Sequence, residues 1–152
     1  MPTQASIDRF LSGKRIALVG VSRNSRSFNN AVYRTMRDHG YEMFPVNPNA
    51  DQLEGDRCYR TVAELPDVDG ALIMVPAAMS PEVIGDCADR GITHIWLHKG
   101  AGPGAVSSEA VKVAQARDLD VVDGACPLMF LTDTGWLHRM HRRFSGRKIA
   151  VA

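Results

Sequence analysis

The segment Gly20-Val21-Ser22-Arg23-Asn24-Ser25-Arg26-Ser27 holds the residue types most suited to chemistry in this chain. Small polar residues let backbone N–H groups approach phosphate oxygens, and a helix N-terminus just beyond them favours negative charge. Arg23 and Arg26 can add charge-assisted hydrogen bonds. Gly20 opens the loop, but Ser22 and Ser25 stand where a Gly-x-Gly-x-x-Gly fingerprint has its second and third glycines. No Gly-Lys-Ser/Thr follows, so the loop is not a Walker loop either. A polar turn with two solvated arginines is the simpler alternative. Phosphate binding is preferred because the segment falls after an apolar strand and before a helix.

Three further segments fall at comparable places. Val46-Asn47-Pro48-Asn49 has no acid of the kind that holds the ribose 2′-hydroxyl of NAD, and the neutral Asn47 and Asn49 suit a ribose carrying phosphate better. Asp51, slightly further on, reads as a surface carboxylate. Val75-Pro76-Ala77-Ala78 is an apolar shelf able to pack a base or a pantetheine chain. Leu97-His98-Lys99-Gly100-Ala101-Gly102 is a flexible, basic stretch able to meet polar groups. Other catalytic constellations are thin. His94, His98, His138 and His141 do not cluster with acids or cysteines at metal-ligand spacing, and no serine sits in a nucleophile elbow. Cys58, Cys87 and Cys126 read as reduced thiols, with no structural metal expected. Cys126-Pro127 follows the last strand at the presumed ligand edge. A lowered thiol pKa there would permit exchange with the disulfide of a thiol ligand, although a buried inert cysteine is the preferred reading.

Positioning these segments takes alternating strands and helices. Strands are expected at Arg15–Gly20, Tyr41–Val46, Gly70–Val75, Thr93–Leu97 and Asp120–Asp123. The first and third are the most uniformly apolar, as central strands buried on both faces should be. Pro45 predicts imperfect pairing near the end of the second. Helices are expected at Asn29–His39, from Ser80-Pro81-Glu82 to Arg90, and from Ser107 or Ser108 to Arg117. A short helix around Ile7, Phe10 and Leu11 and a last one from Gly135 to about Phe144 complete the set. The pattern predicts an α/β, Rossmann-like doubly wound parallel sheet of about five strands with helices on both faces, read as one domain over residues 1–152. Its ligands should bind beyond the carboxyl ends of the strands.

In that order and spacing, Gly20-Val-Ser-Arg-Asn-Ser-Arg-Ser, Pro45-Val-Asn-Pro48, Val75-Pro76, Trp96-Leu97-His98-Lys99-Gly100 and Cys126-Pro127 resemble the small bacterial CoA-binding domain proteins. These are similar to the N-terminal domain of the succinyl-CoA synthetase alpha subunit standing alone, and the resemblance covers roughly Ser12 to Leu131. It implies that Ser22, Arg23, Asn24 and Ser25 hold the CoA phosphates and that Asn47, Pro48 and Asn49 border the adenosine. By the same resemblance Val75 and Pro76 line the middle of the cofactor, and Leu97, His98 and Lys99 touch its far end. The arginines depart from the small, uncharged loop of the synthetase. The synthetase's phosphorylated histidine belongs to a second domain, so ligase activity is not carried over.

Composition bounds the rest. With 152 residues, 45% hydrophobic and 23% charged, the chain fits a globular domain and excludes disorder or a collagen-like repeat. No apolar run approaches the roughly 20 residues of a spanning helix, and no basic-then-apolar leader opens the chain, so a cytoplasmic protein away from membranes is expected. Net charge is +1. Arg139, Arg142, Arg143, Arg147 and Lys148 nonetheless follow Trp136 with no acid among them. A solvated basic tail is the preferred reading over a nucleic-acid contact, because stacking aromatics are not interleaved with it. The expected function is binding of coenzyme A or an acyl-CoA as a small-molecule nucleotide cofactor, without catalysis, with a protein partner or a homo-oligomer possible. The alternatives are an NADP-type oxidoreductase or enzyme subunit, with Arg23 or Arg26 on the ribose phosphate and His98 or Lys99 as acid, and a nucleic-acid-associated module using the tail.

Overall fold

The computed structural model describes residues 2–100 and 104–131. Among them are strands β1 (Arg15–Val19), β2 (Glu42–Val46), β3 (Gln52–Leu53), β4 (Asp56–Arg57), β5 (Gly70–Ile73), β6 (His94–His98) and β7 (Asp120–Ala125). The helices are α1 (Gln4–Ser12), α2 (Phe28–Asp38), α3 (Ser80–Asp89) and α4 (Ser108–Ala116). Five strands form one sheet in the order β2-β1-β5-β6-β7, every neighbouring pair parallel. β3 and β4 make a separate hairpin. The expected Rossmann-like α/β architecture is therefore the one observed. The helix expected from Gly135 to Phe144, Trp136 and the basic tail lie outside the described residues, as do Ala101 and Gly102.

Alternation along the strands builds two cores. Ile16, Leu18, Leu72 and Trp96 point to the face covered by α1 and α2, where Phe10, Val32, Tyr33 and Met36 meet them. Ala17, Ala71, Ile73, Ile95 and Leu97 point to the opposite face, against Ile84 and Cys87 of α3 and Ala110 and Ala114 of α4. β5 is buried along its whole length, which explains why its sequence carries no polar residue. Trp96 anchors the first core. Its ring lies edge-on to Phe10, centroids 5.3 Å apart, and its indole N–H donates to the Ala125 carbonyl at 2.8 Å.

Several local expectations change. Pairing of β2 with β1 runs unbroken from Arg15↔Glu42 to Val19↔Val46, so Pro45 does not disturb it. The strand lies at the sheet edge, and the Pro45 carbonyl, on the side away from β1, accepts from the Tyr59 amide at 2.9 Å. β5 stops at Ile73, short of Val75, whereas β7 continues to Ala125 past a register shift between Leu97 and His98. Ser27 caps α2 and Ser107 caps α4. Ser80, expected to cap α3, is instead its first residue, fully buried with its hydroxyl unpartnered among the described residues. A 3-10 turn, Ala77–Met79, feeds directly into that helix and replaces the capping hydroxyl. The β3–β4 hairpin was not anticipated, and its turn places Glu54 and Gly55 at φ 53° and 82°, the two positive values of a type I′ connection.

The order β2-β1-β5 places the topological switch between β1 and β5, where successive crossovers leave in opposite directions. Gly20 ends β1 there. Its φ is 116°, and a Cβ would stand 2.5 Å from the Met74 carbonyl oxygen. Gly20→Ala is therefore expected to cost about 2 kcal/mol or more, through backbone strain and the clash together. Urea unfolding should show a lower midpoint with an unchanged slope.

Candidate functional site

The loop leaving β1 is organised from beneath by two asparagines in the first turn of α2. Asn30 is 1% exposed. Its Oδ1 accepts from the Ser22 amide and the Ser27 hydroxyl, both at 2.8 Å, and its Nδ2 donates to the Ser22 carbonyl and to Glu54, both at 2.9 Å. Asn29 Nδ2 donates to the carbonyls of Gly20 (2.8 Å) and Met74 (2.9 Å), tying together the ends of β1 and β5. Within the loop, the Asn24 amide donates to Ser22 Oγ and the Arg26 amide to Asn24 Oδ1. Ser22 and Asn24 thus spend side-chain acceptors on shaping the loop. Among the described residues the amides of Arg23 and Ser25 donate to nothing, and the guanidinium groups of Arg23 and Arg26 are exposed and unpaired.

The hairpin braces this loop from the side. Glu54 accepts from Arg34 at 2.9 Å as well as from Asn30, and Arg34 also donates to the Ser25 carbonyl at 3.1 Å. Burial alone would raise the Glu54 carboxyl, but the bonds from Arg34 and Asn30 outweigh it and hold the group below the usual range. Asn47 plays a similar part at the end of β2, donating to the Val21 carbonyl at 2.8 Å and accepting from the Asn49 amide at 2.7 Å. Pro48 and Asn49 are exposed beside it. Asp51 pairs with Arg60 at the surface and offers no ribose carboxylate pointing inward.

Next to the loop, at the switch point, lies an open cleft of about 580 Å³. Phe28 and Asn29 of α2, Met74, Val75 and Pro76 after β5, and His98 at the end of β6 form its walls with Gly100, Gly104 and Ala105. Val75, Pro76 and His98 therefore converge on one space. Leu97 does not reach it, being fully buried in the core beneath α3 and α4, and Lys99 is exposed outside it. His98 is 5% exposed, its ring 5.6 Å from that of Phe28, and its Nε2 is buried with no partner among the described residues. Burial pushes its pKa down to about 4, so the ring is uncharged at neutral pH and cannot serve as a cationic acid.

The opposite ends of β6 and β7 carry a second depression, lined by Arg9, His94 and Asp120 among others. Arg9 bonds Asp120 there at 2.6 Å and Ser6 bonds it at 2.7 Å, which is how α1 is fastened to the sheet. Cys126 is buried, and burial raises its thiol to about 11. The thiolate needed for disulfide exchange is thus scarce at neutral pH, and the inert reading is the better supported. Among the described residues no three metal-ligating side chains converge, and no helix is long and apolar enough to cross a membrane.

Residues 14–132 match a family model described as a CoA binding domain. An ADP-forming acetate–CoA ligase II of Archaeoglobus fulgidus is 38% identical over 82 residues, 52% of this chain and 12% of that protein. The alpha subunit of an ADP-forming acetate–CoA ligase I of Pyrococcus furiosus is 30% identical over 117 residues, 72% of this chain and 25% of the subunit. The chain thus spans a quarter or less of the length of these two relatives. A hypothetical protein of Pyrococcus horikoshii OT3, whose structure is solved, superposes with a TM-score of 0.74 at 26% identity, covering 93% of this chain and 91% of its own.

Two measurements check the site's construction. Asn30→Ala should lose about 2 kcal/mol or more in urea unfolding, since the half-buried Ser22 amide and carbonyl lose their partners together. His98 gives a signed pH dependence. Its folded pKa lies below the unfolded value near 6.5, so the unfolded state binds more protons between about pH 6.5 and 4, and stability falls as pH drops through that window. The loss should approach about 1 kcal/mol per pH unit there, and His98→Gln should flatten that part of the stability profile.

Proposed function

The chain belongs to the CoA-binding domain family, and on that premise we propose that it binds coenzyme A or an acyl-CoA along the carboxyl edge of its sheet, without turning it over. The observation that carries this reading is the braced loop with donors unspent among the described residues: the amides of Arg23 and Ser25, those of Phe28 and Asn29 at the start of α2, and the guanidinium groups of Arg23 and Arg26. These suit the diphosphate and the ribose phosphate of CoA. Asn47, Pro48 and Asn49 border the adenosine, and their lack of charge tolerates a phosphorylated ribose where an acid would repel it. Val75 and Pro76 pack the methyl and methylene carbons of the pantetheine, between its amides. His98 meets the sulfur end.

An NADP-dependent oxidoreductase would share the phosphate loop. It would also need a proton donor near the nicotinamide, and the uncharged His98 and outward-facing Lys99 make a poor one. The ligases named above are several times longer than this chain, so acid activation and nucleotide chemistry are not assigned to it. A partner polypeptide supplying such chemistry fits the same reading, because one of those relatives is itself named a subunit.

Calorimetric titration tests the proposal. CoA should bind more tightly than NAD or NADP, and tighter binding of either dinucleotide would overturn the assignment. Replacing Arg23 and Arg26 together with alanine should cost about 1.5–3 kcal/mol for each charge-assisted bond lost, while circular dichroism stays unchanged because both side chains are exposed. Undiminished CoA affinity in that variant would place the phosphates elsewhere.

A further inference from the structure

The cleft at the switch point is uneven in its polarity. Phe28, Met74, Val75, Pro76 and Ala105 give it apolar walls, and Phe28 stands 56% exposed. Of its two polar lining side chains, Asn29 has already committed both amide hydrogens to the carbonyls of Gly20 and Met74. His98 alone retains an unspent ring nitrogen, Nε2, on a side chain more than nine-tenths buried. Among the described residues no acid, lysine or arginine lines the space, since Lys99 lies outside it and Arg23 and Arg26 belong to the neighbouring loop.

A buried polar atom without a partner is costly, and Nε2, closed off from solvent on a side chain that lines the cleft, gains a partner when a ligand of matching polarity enters and the ring turns to meet it. The matching ligand has one hydrogen-bond acceptor set in an otherwise apolar body. Resting on the reading that the chain binds CoA, we propose that the cleft selects acyl-CoA thioesters with short, uncharged acyl groups, His98 donating its Nε2 hydrogen to the thioester carbonyl while Phe28, Met74, Val75 and Ala105 surround the acyl carbons. The remaining side-chain amide oxygen of Asn29 has no hydrogen to offer that carbonyl. An acyl group ending in a carboxylate would bring a charge against apolar walls with no cation among the described residues to meet it, and stripping water from an unpaired charge is disfavoured. The ring itself stays uncharged at neutral pH, so it provides a dipole and not a counter-ion. A volume of about 580 Å³ is of the order of known small-ligand sites and leaves room for the sulfur and a few acyl carbons.

The test is a calorimetric series on the whole chain at pH 7 with free CoA, acetyl-CoA, propionyl-CoA, succinyl-CoA and the thioether S-propyl-CoA, which lacks the carbonyl. Propionyl-CoA should bind about tenfold or more tightly than succinyl-CoA, and about fivefold more tightly than the thioether, the worth of one net hydrogen bond. In His98→Phe the thioester and thioether should become equal. Because a buried substitution can unsettle the fold, the nitrogen-15 resonances of His98 in the unaltered protein provide a second reading. Nε2 should shift with propionyl-CoA and not with the thioether. Succinyl-CoA binding as tightly as propionyl-CoA, or thioester and thioether binding alike in the unaltered protein, would overturn this inference while leaving CoA binding intact. Failure of free CoA and every thioester to bind would overturn the broader reading, and this one with it.

Discussion

Asn29 and Asn30 bear the geometry on which the rest of the ligand edge depends. A doubly wound sheet opens a gap where its crossovers diverge, and the strand ends on either side of that gap carry carbonyls with no further strand to pair with. Asn29 takes two of these, at Gly20 and Met74, with a single amide group. Asn30 does the equivalent for the loop, holding Ser22 by both its amide and its carbonyl. Both asparagines sit in the first turn of α2, so the helix is docked to the switch point by the same bonds that shape the loop above it. Packing then follows: Val32, Tyr33 and Met36, one and two turns further along, bury the helix on the sheet.

The second consequence is a division of labour in charge. The loop side offers guanidinium groups and free amides, whereas the cleft side offers apolar walls and an uncharged imidazole. The charged groups that could have confused the two are tied up elsewhere. Glu54 is committed to Arg34 and Asn30, and Asp51 to Arg60. A ligand with a polyanionic head and an uncharged tail fits that polarity from one end to the other, which is why the reading of the site and the membership of the family point the same way.

Much of this was legible in the residues. β1 and β5 announce themselves because strands buried on both faces need no polar alternation, and the polar loop after β1 is visible because it interrupts an apolar run. Other parts were not. The hairpin strands are two residues long, too short for any periodicity, and only the Glu54-Gly55 pair hinted at a turn. Ser80 looked like a cap because the hydroxyl, proline and acid stand in the right order, yet a 3-10 turn ahead of it had already begun the helix. The role of Asn30 escaped notice although a signal existed. It precedes Tyr33 by three residues, close to one helical turn, so a polar amide stands on the face that should be apolar. Likewise, Leu97, His98 and Lys99 are adjacent in sequence, yet Leu97 is buried in the core, Lys99 is exposed past the end of the strand, and only His98 lines the cleft.

The central claim is that the carboxyl edge at the β1–β5 switch receives CoA, phosphates on the loop and sulfur in the cleft. Amide resonances followed by heteronuclear NMR during a CoA titration address it most directly, because each residue reports its own environment. The account requires the largest changes at Arg23, Ser25 and Phe28, with smaller ones reaching Val75 and His98. Changes confined to Arg9, His94 and Asp120, at the opposite ends of the strands, would contradict it.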